Sequence, residues 1–342
     1  MDRPRLGVLF FVFALSFSTP SSFAKQDPFP PRGLFALSEG TKPLPERVLQ
    51  EKVLAGVSLR AGWSNIEPYE GTFQWATFDD GIERARKAHK KVMLRVDCDH
   101  RTPRWVYDAG AQLFDFEKSN PYQTWLKQTH LTIPIPWDPI FLSKWRRFIE
   151  TFGKKYNDND TVVLIQMSGP SGAGGEMHLP MAPQDKNHWE QVGYTKDKLV
   201  YAWKYVLDSY VEAFPDKPLA INVAQPIYKD GTVEEVLAYG YQKIGNRFCI
   251  QHNGLAAKTS DSWIQQRWVV SYKGKAIIGF QLLCPATPAG KFNDNGKRFG
   301  GSLAQAFEIG LNSGASYFEI YSQDLKDESL IQVMRDVAEK LK

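Results

Sequence analysis

Lys91-Val92-Met93-Leu94-Arg95-Val96-Asp97 is the stretch from which the fold can be read. Val92, Leu94 and Val96 recur with a period of two, the period of an extended strand, and the alternate positions end in the charges of Arg95 and Asp97. The same pattern returns along the chain. Leu59 and Ala61, Val163, Ile165 and Met167, Ile221 and Val223, Phe248 and Ile250, Ile278 and Phe280, and Phe318 and Ile320 form aliphatic or aromatic faces. Against them stand Ser58, Arg60, Gln166, Ser168, Asn222, Gln251, Gln281, Glu319 and Tyr321. In a closed barrel one strand face packs on helices and the other points inward, so the polar set is expected to line the interior. Each unpaired group there would cost about 1–3 kcal/mol, and a lone charge more. Such a ring persists when its members satisfy one another and serve a site at the open end. The polar members lie toward the C-terminal halves of their strands, where barrel active sites sit.

Working outward, eight strands are expected at 33–38, 57–61, 92–97, 162–168, 219–224, 247–252, 276–283 and 316–321. Helical patterns separate most of them, at 78–89, 139–156, 195–213, 232–243, 301–312 and 327–341. Eight strands alternating with helices predict an α/β protein with a single (β/α)8 TIM barrel. Met1-Asp-Arg-Pro-Arg5, the apolar run Leu6–Phe17 and the small-residue exit to Ala24 predict a signal peptide over 1–24. The barrel domain then fills 25–342, and a secreted or periplasmic location follows. No later segment reaches membrane-spanning length, so no stable membrane insertion is expected once the leader is removed. A formal charge of +4, with no long Lys/Arg block, argues against a nucleic-acid partner. Cys98, Cys249 and Cys284 show neither a disulfide framework nor metal spacing, and no cofactor or metal is expected. Oligomeric state is not legible.

Ala61-Gly-Trp-Ser-Asn-Ile-Glu-Pro-Tyr-Glu-Gly-Thr-Phe-Gln-Trp75, followed by Phe78-Asp-Asp80 and Lys91–Val96, resembles a segment of the retaining glycoside hydrolases with (β/α)8 barrels, including the β-galactosidase-like families. The close resemblance covers about forty residues around the second and third strands. It implies a glycosidase acting on a poly- or oligosaccharide, with a Glu general acid/base after the fourth strand and a Glu nucleophile ending the seventh. Ser168-Gly-Pro-Ser-Gly-Ala-Gly-Gly-Glu176-Met-His178 offers Glu176 as the acid/base, with Gly175 where the family has Asn. At the seventh strand, Ile278-Gly-Phe-Gln281 carries an amide where the resemblance implies the nucleophile.

Glycoside hydrolysis normally uses two carboxyl groups flanking the bond. Glu319, near the end of the eighth strand, is the candidate for the second; equally, it is the counter-ion that a buried Arg60 or Arg95 requires. Asp97, Asp99 and His100 close the third strand as sugar ligands, with Asp99 also a candidate base; the alternative pairs Asp97 with Arg95 or Arg60. Asn222, Gln225, Gln251, His252, Asn253 and Gln281 form an amide-rich rim that suits sugar hydroxyls or satisfies itself. His178 follows Glu176 closely. Trp63, Trp137 and Tyr321, at strand ends or in loops, are candidates for stacking on sugar rings. The competing reading is a barrel that binds carbohydrate without cleaving it.

Overall fold

The computed structural model describes residues 30–38, 41–118, 130–172, 174–288 and 292–342; the expected leader lies outside the described residues. Among the described residues there are ten strands: β1 (Gly33–Leu37), β2 (Leu54–Gly62), β3 (Lys91–Asp97), β4 (Leu113–Glu117), β5 (His130–Pro134), β6 (Val162–Met167), β7 (Leu219–Asn222), β8 (Phe248–Leu255), β9 (Ile277–Leu282) and β10 (Ala315–Tyr321). Eight of them close a parallel barrel in the order β1-β10-β9-β8-β7-β6-β3-β2. All eight expected strands therefore form, with β6, β9 and β10 as the fourth, seventh and eighth barrel strands. The antiparallel β4–β5 pair was not anticipated; it is inserted between the third and fourth barrel strands. Among the described residues no helix is long and apolar enough to cross a membrane.

The two strand faces separate as the alternation requires. Leu59, Leu94, Val96, Ile165, Ile221, Ile250, Phe280 and Phe318 join the large core between barrel and helices. Inside the barrel a second, smaller apolar cluster is formed by Phe35, Met93, Leu164, Ala220, Cys249, Ile277 and Tyr317. One expected outward residue moves: the β3–β6 register shifts between Val92 and Met93, and Val163 packs against the inner cluster instead. An extra residue in one strand of a pair turns the next side chain to the other face.

Two helices fix the end of β6, from which the candidate loop departs. Pro139–Tyr156 begins at Asp138, whose carboxylate accepts from the Ile140 and Phe141 N–H groups at 2.9 Å each, with Pro139 at the first helical position. That helix buries Trp145, whose Nε1 donates to the Ser168 carbonyl at 3.1 Å. Lys196–Ala213 buries Tyr210, whose hydroxyl accepts from the Ser168 N–H at 3.3 Å. Ser168 is thereby held on both sides of its peptide. Gly169 follows because a Cβ there would lie 2.7 Å from the Trp203 ring.

Candidate active site

The floor of the C-terminal mouth is a buried carboxylate. Glu319 has no exposed surface. Its Oε1 accepts from Gln166 Nε2 at 2.7 Å, and its Oε2 from Gln251 Nε2 and Arg60 Nη2 at 2.6 Å each. Burial alone would raise its pKa, but Arg60 and the nearby Arg95 outweigh burial and hold the carboxyl below its ordinary range. Arg60 also donates to Gln281 Oε1 at 2.8 Å. Glu319 is thus the ion partner that a buried Arg60 requires, and the same pairing keeps the carboxylate ionised. Gln281, 8% exposed, is occupied by Arg60, with its Nε2 3.5 Å from the Tyr321 hydroxyl.

Beside this floor a second charged group closes β3. Arg95 Nε lies 2.8 Å from Asp97 Oδ1, and Arg101 Nη2 lies 2.7 Å from Asp97 Oδ2. Arg101 further grips Asp99 through Nε at 2.9 Å and Nη2 at 2.6 Å. His100 Nδ1 is 3.2 Å from Asp99 Oδ1. Burial pushes the Asp99 carboxyl up, yet Arg101, His100 and the Gly174 N–H together hold it well below the usual range. Asp97 and Asp99, both wholly buried, are pairing partners here and present no free oxygen to a base role. Arg101, which completes both pairs, had no strand pattern to reveal it; its only signal is its spacing from Asp97 and Asp99.

Glu176 rides above both groups. Gly174 N donates to Asp99 Oδ2 at 2.7 Å, Gly172 N to the His178 carbonyl at 2.8 Å and Met177 N to the Asn222 carbonyl at 3.1 Å. Met177 and Leu179 are buried, while the alternating Glu176 and His178 side chains each keep 30% exposure. Glu176 Oε1 accepts from Asn253 Nδ2 at 3.1 Å, and Oε2 lies 3.7 Å from His178 Nδ1. Among Asp97, Asp99, Glu176 and Glu319, only Glu176 reaches solvent. Gly175 explains the missing family Asn. Its φ is +68°, and a Cβ would meet Asp97 Oδ1 at 2.4 Å, so the loop lies flat on the Arg95–Asp97 pair where no side chain fits.

The remaining candidates divide. The Asn222 amide, 1% exposed at the end of β7, has no hydrogen-bond partner within the described residues. Gln225 donates to the Tyr228 carbonyl and leaves its own Oε1 unpaired. His252 points outward: its ring meets Phe280 edge-on, and burial lowers its pKa to about 4. Trp63 is wholly buried against Trp105, Trp145 and Phe148, with Nε1 donating to Glu67 at 2.9 Å. Trp137 packs on Trp189 and Tyr194 with Lys198 over its ring. His252 and Trp63 are therefore corrected to packing residues, and the Trp137 face toward Lys198 is taken. A cavity of about 540 Å³ opens beyond His100, walled by Tyr107 and by Leu113, His130 and Thr132 of the β4–β5 pair.

Residues 47–211, just under half of the chain, match the model of glycoside hydrolase family 42, described as beta-galactosidase. Over that span the chain is similar to glycoside hydrolases, and its fold is a closed eight-stranded parallel barrel. The match holds the second-strand motif and Glu176; Gln281 and Glu319 fall outside it. Solved structures agree in fold. The catalytic domain of β-amylase from Paenibacillus polymyxa superposes with a TM-score of 0.59 at 12% identity, covering 92% of this chain and 100% of that one. A β-galactosidase from the psychrophilic Marinomonas ef1 gives 0.55 at 12% identity over 90% of this chain, which spans 59% of that one. An intracellular xylanase from Thermoanaerobacterium saccharolyticum, in complex with xylotriose, gives 0.51 at 13% identity, covering 85% of each chain. No curated protein matches. Within this barrel the described residues bring Glu176, His178, Asn253, Gln251, Glu319, Arg60, Gln281 and Tyr321 into one connected mouth, flanked by Asp97, Asp99 and His100.

Proposed function

We propose that the protein is an exported glycoside hydrolase that cleaves O-glycosidic bonds of a poly- or oligosaccharide, with Glu176 as general acid/base. The observation that carries this reading is the partly exposed Glu176 carboxyl leaning over a polar mouth, in the loop after the fourth barrel strand. Protonation of the leaving oxygen needs a carboxyl within hydrogen-bond reach of substrate, and Glu176 alone among the four mouth carboxylates has that access. Glu319 is the second carboxylate of the site as a fixed buried anion, opposing the positive charge of an oxocarbenium-like transition state. Asn222, Gln225, His178 and Tyr321 are the side chains available to sugar hydroxyls and ring faces. The Met1–Ala24 leader pattern supports action outside the cytoplasm.

A second reading, a barrel that binds glycans without cleaving them, is favoured by Gln281 in the nucleophile position and by the saturation of Glu319. Screening purified protein on polysaccharides and aryl glycosides separates the two. Released reducing ends or aryl alcohol support hydrolysis; measurable binding with no release on any substrate supports the second reading.

A further inference from the structure

Glu176 and Glu319 are joined through two amides on one strand. Gln251 and Asn253, two residues apart on β8, share a face. Gln251 Nε2 donates both to Glu319 Oε2 at 2.6 Å and to Asn253 Oδ1 at 2.7 Å, and Asn253 Nδ2 donates to Glu176 Oε1 at 3.1 Å. An amide can in principle sit in either of two orientations, so its neighbours must decide which end faces where. Here the ends of the chain decide. Glu319, ionised against Arg60, can only accept, which obliges Gln251 to turn its NH2 toward it. The opposite end of the same amide agrees: Gln251 Oε1 accepts from the Tyr317 hydroxyl at 2.6 Å. Asn253 must then meet that NH2 with its oxygen, and its own NH2 is left for Glu176.

We propose that Gln251 and Asn253 are positioning residues, which transmit the fixed orientation of Glu319 to Glu176, so that Oε1 of Glu176 is only an acceptor and its acid proton resides on Oε2. This rests on the reading of Glu176 as the general acid. In the bond-breaking step the Oε2 proton passes to the leaving oxygen, which keeps the electron pair of the broken C–O bond; Glu176 is left as a carboxylate, still bound to Asn253. An incoming water then supplies the hydroxyl to the anomeric carbon and returns a proton to Glu176. The buried anion acts through two side chains and never touches the substrate.

The test compares two glycosides of whichever sugar the wild type releases fastest, one with a phenyl and one with a dinitrophenyl leaving group. The second departs without a proton, so it reports everything except acid catalysis. With Asn253→Ala and Asn253→Asp, kcat on the phenyl glycoside is expected to fall by about 10²-fold, the lower end of what a general acid contributes, while kcat on the dinitrophenyl glycoside stays within about twofold. Tyr317→Phe, which removes the shorter of the two bonds to Gln251 Oε1 and preserves shape, gives a smaller change in the same direction and serves if the Asn253 variants fail to fold. Equal losses on both substrates, or none on either, overturn the relay. Glu176→Gln separates the two levels of the account. If it shows the leaving-group dependence and the Asn253 and Tyr317 variants do not, only the relay fails; if Glu176→Gln lacks it, the acid assignment fails too.

Discussion

The interior of this barrel holds two layers built by the same strands a few residues apart, and they solve opposite problems. The lower layer, with Phe35, Met93, Leu164, Cys249, Ile277 and Tyr317, fills volume with apolar groups. The upper layer, with Arg60, Arg95, Gln166, Gln251, Gln281 and Glu319, fills the space above it with charges and amides that satisfy one another. Tyr317 joins them, with its ring among the lower apolar groups and its hydroxyl donating upward to Gln251. The lower layer needs only shape. The upper one needs shape, charge balance and a consistent direction for every amide, which makes it the less forgiving of single changes.

That contrast is broken most severely at Glu319. Glu319→Ala leaves the Arg60 guanidinium largely buried and without its ion partner, and is expected to cost about 3–5 kcal/mol in chemical denaturation. Because the folded-state pKa of Glu319 is depressed, its contribution is fully present above the ordinary value of 4.5 and is lost as the pH falls through the folded value. The gap between variant and wild type should therefore narrow below that pH. Leu164→Ala in the lower layer is expected to cost a comparable or smaller amount, about 2–5 kcal/mol, set by the cavity it leaves. That loss should be the same at every pH; a pH-dependent loss would mean that the layers are not energetically separate.

The outer face of β8 sharpens the comparison from a third side. His252 has its pKa lowered from 6.5 to about 4 by burial, so the unfolded chain takes up a proton first as the pH falls. Its neutral form contributes stability that is intact above pH 6.5 and declines between 6.5 and about 4, by about 3 kcal/mol in total at 1.36 kcal/mol per pKa unit. His252→Phe should flatten the stability curve in that window, and urea titrations across it would read the change. The smallest effect belongs to Asn222. Its amide makes no hydrogen bond within the described residues, so Asn222→Ala removes none and should shift stability by less than about 1 kcal/mol. The same variant should raise KM if the amide serves the sugar.

The strand alternation made both faces readable, since period two with aliphatic residues on one side leaves little freedom over which face packs on helices. Arg60, Gln166, Gln251 and Glu319 were placed inward by that rule alone. What alternation does not carry is the partner of each polar group, such as the Arg60 guanidinium 2.6 Å from Glu319. His252 was grouped with its neighbours Gln251 and Asn253 by chemistry, although period two already sends it to the opposite face. Trp63 follows the β2 strand end, and only three-dimensional packing against Trp145 and Phe148 reveals that its ring is enclosed. The β4–β5 pair was legible in principle: Phe114 and Phe116 alternate with Asp115 and Glu117, and Leu131 and Ile133 with His130 and Thr132.

The account turns on one side chain, and one kinetic comparison tests it most directly. Wild type and Glu176→Gln, matched for thermal midpoint, are assayed for release of reducing ends from the best natural glycan found for the wild type. The expected result is a fall in kcat of about 10²–10⁴-fold, the contribution of a general acid. Undiminished turnover by a folded Glu176→Gln protein would contradict it.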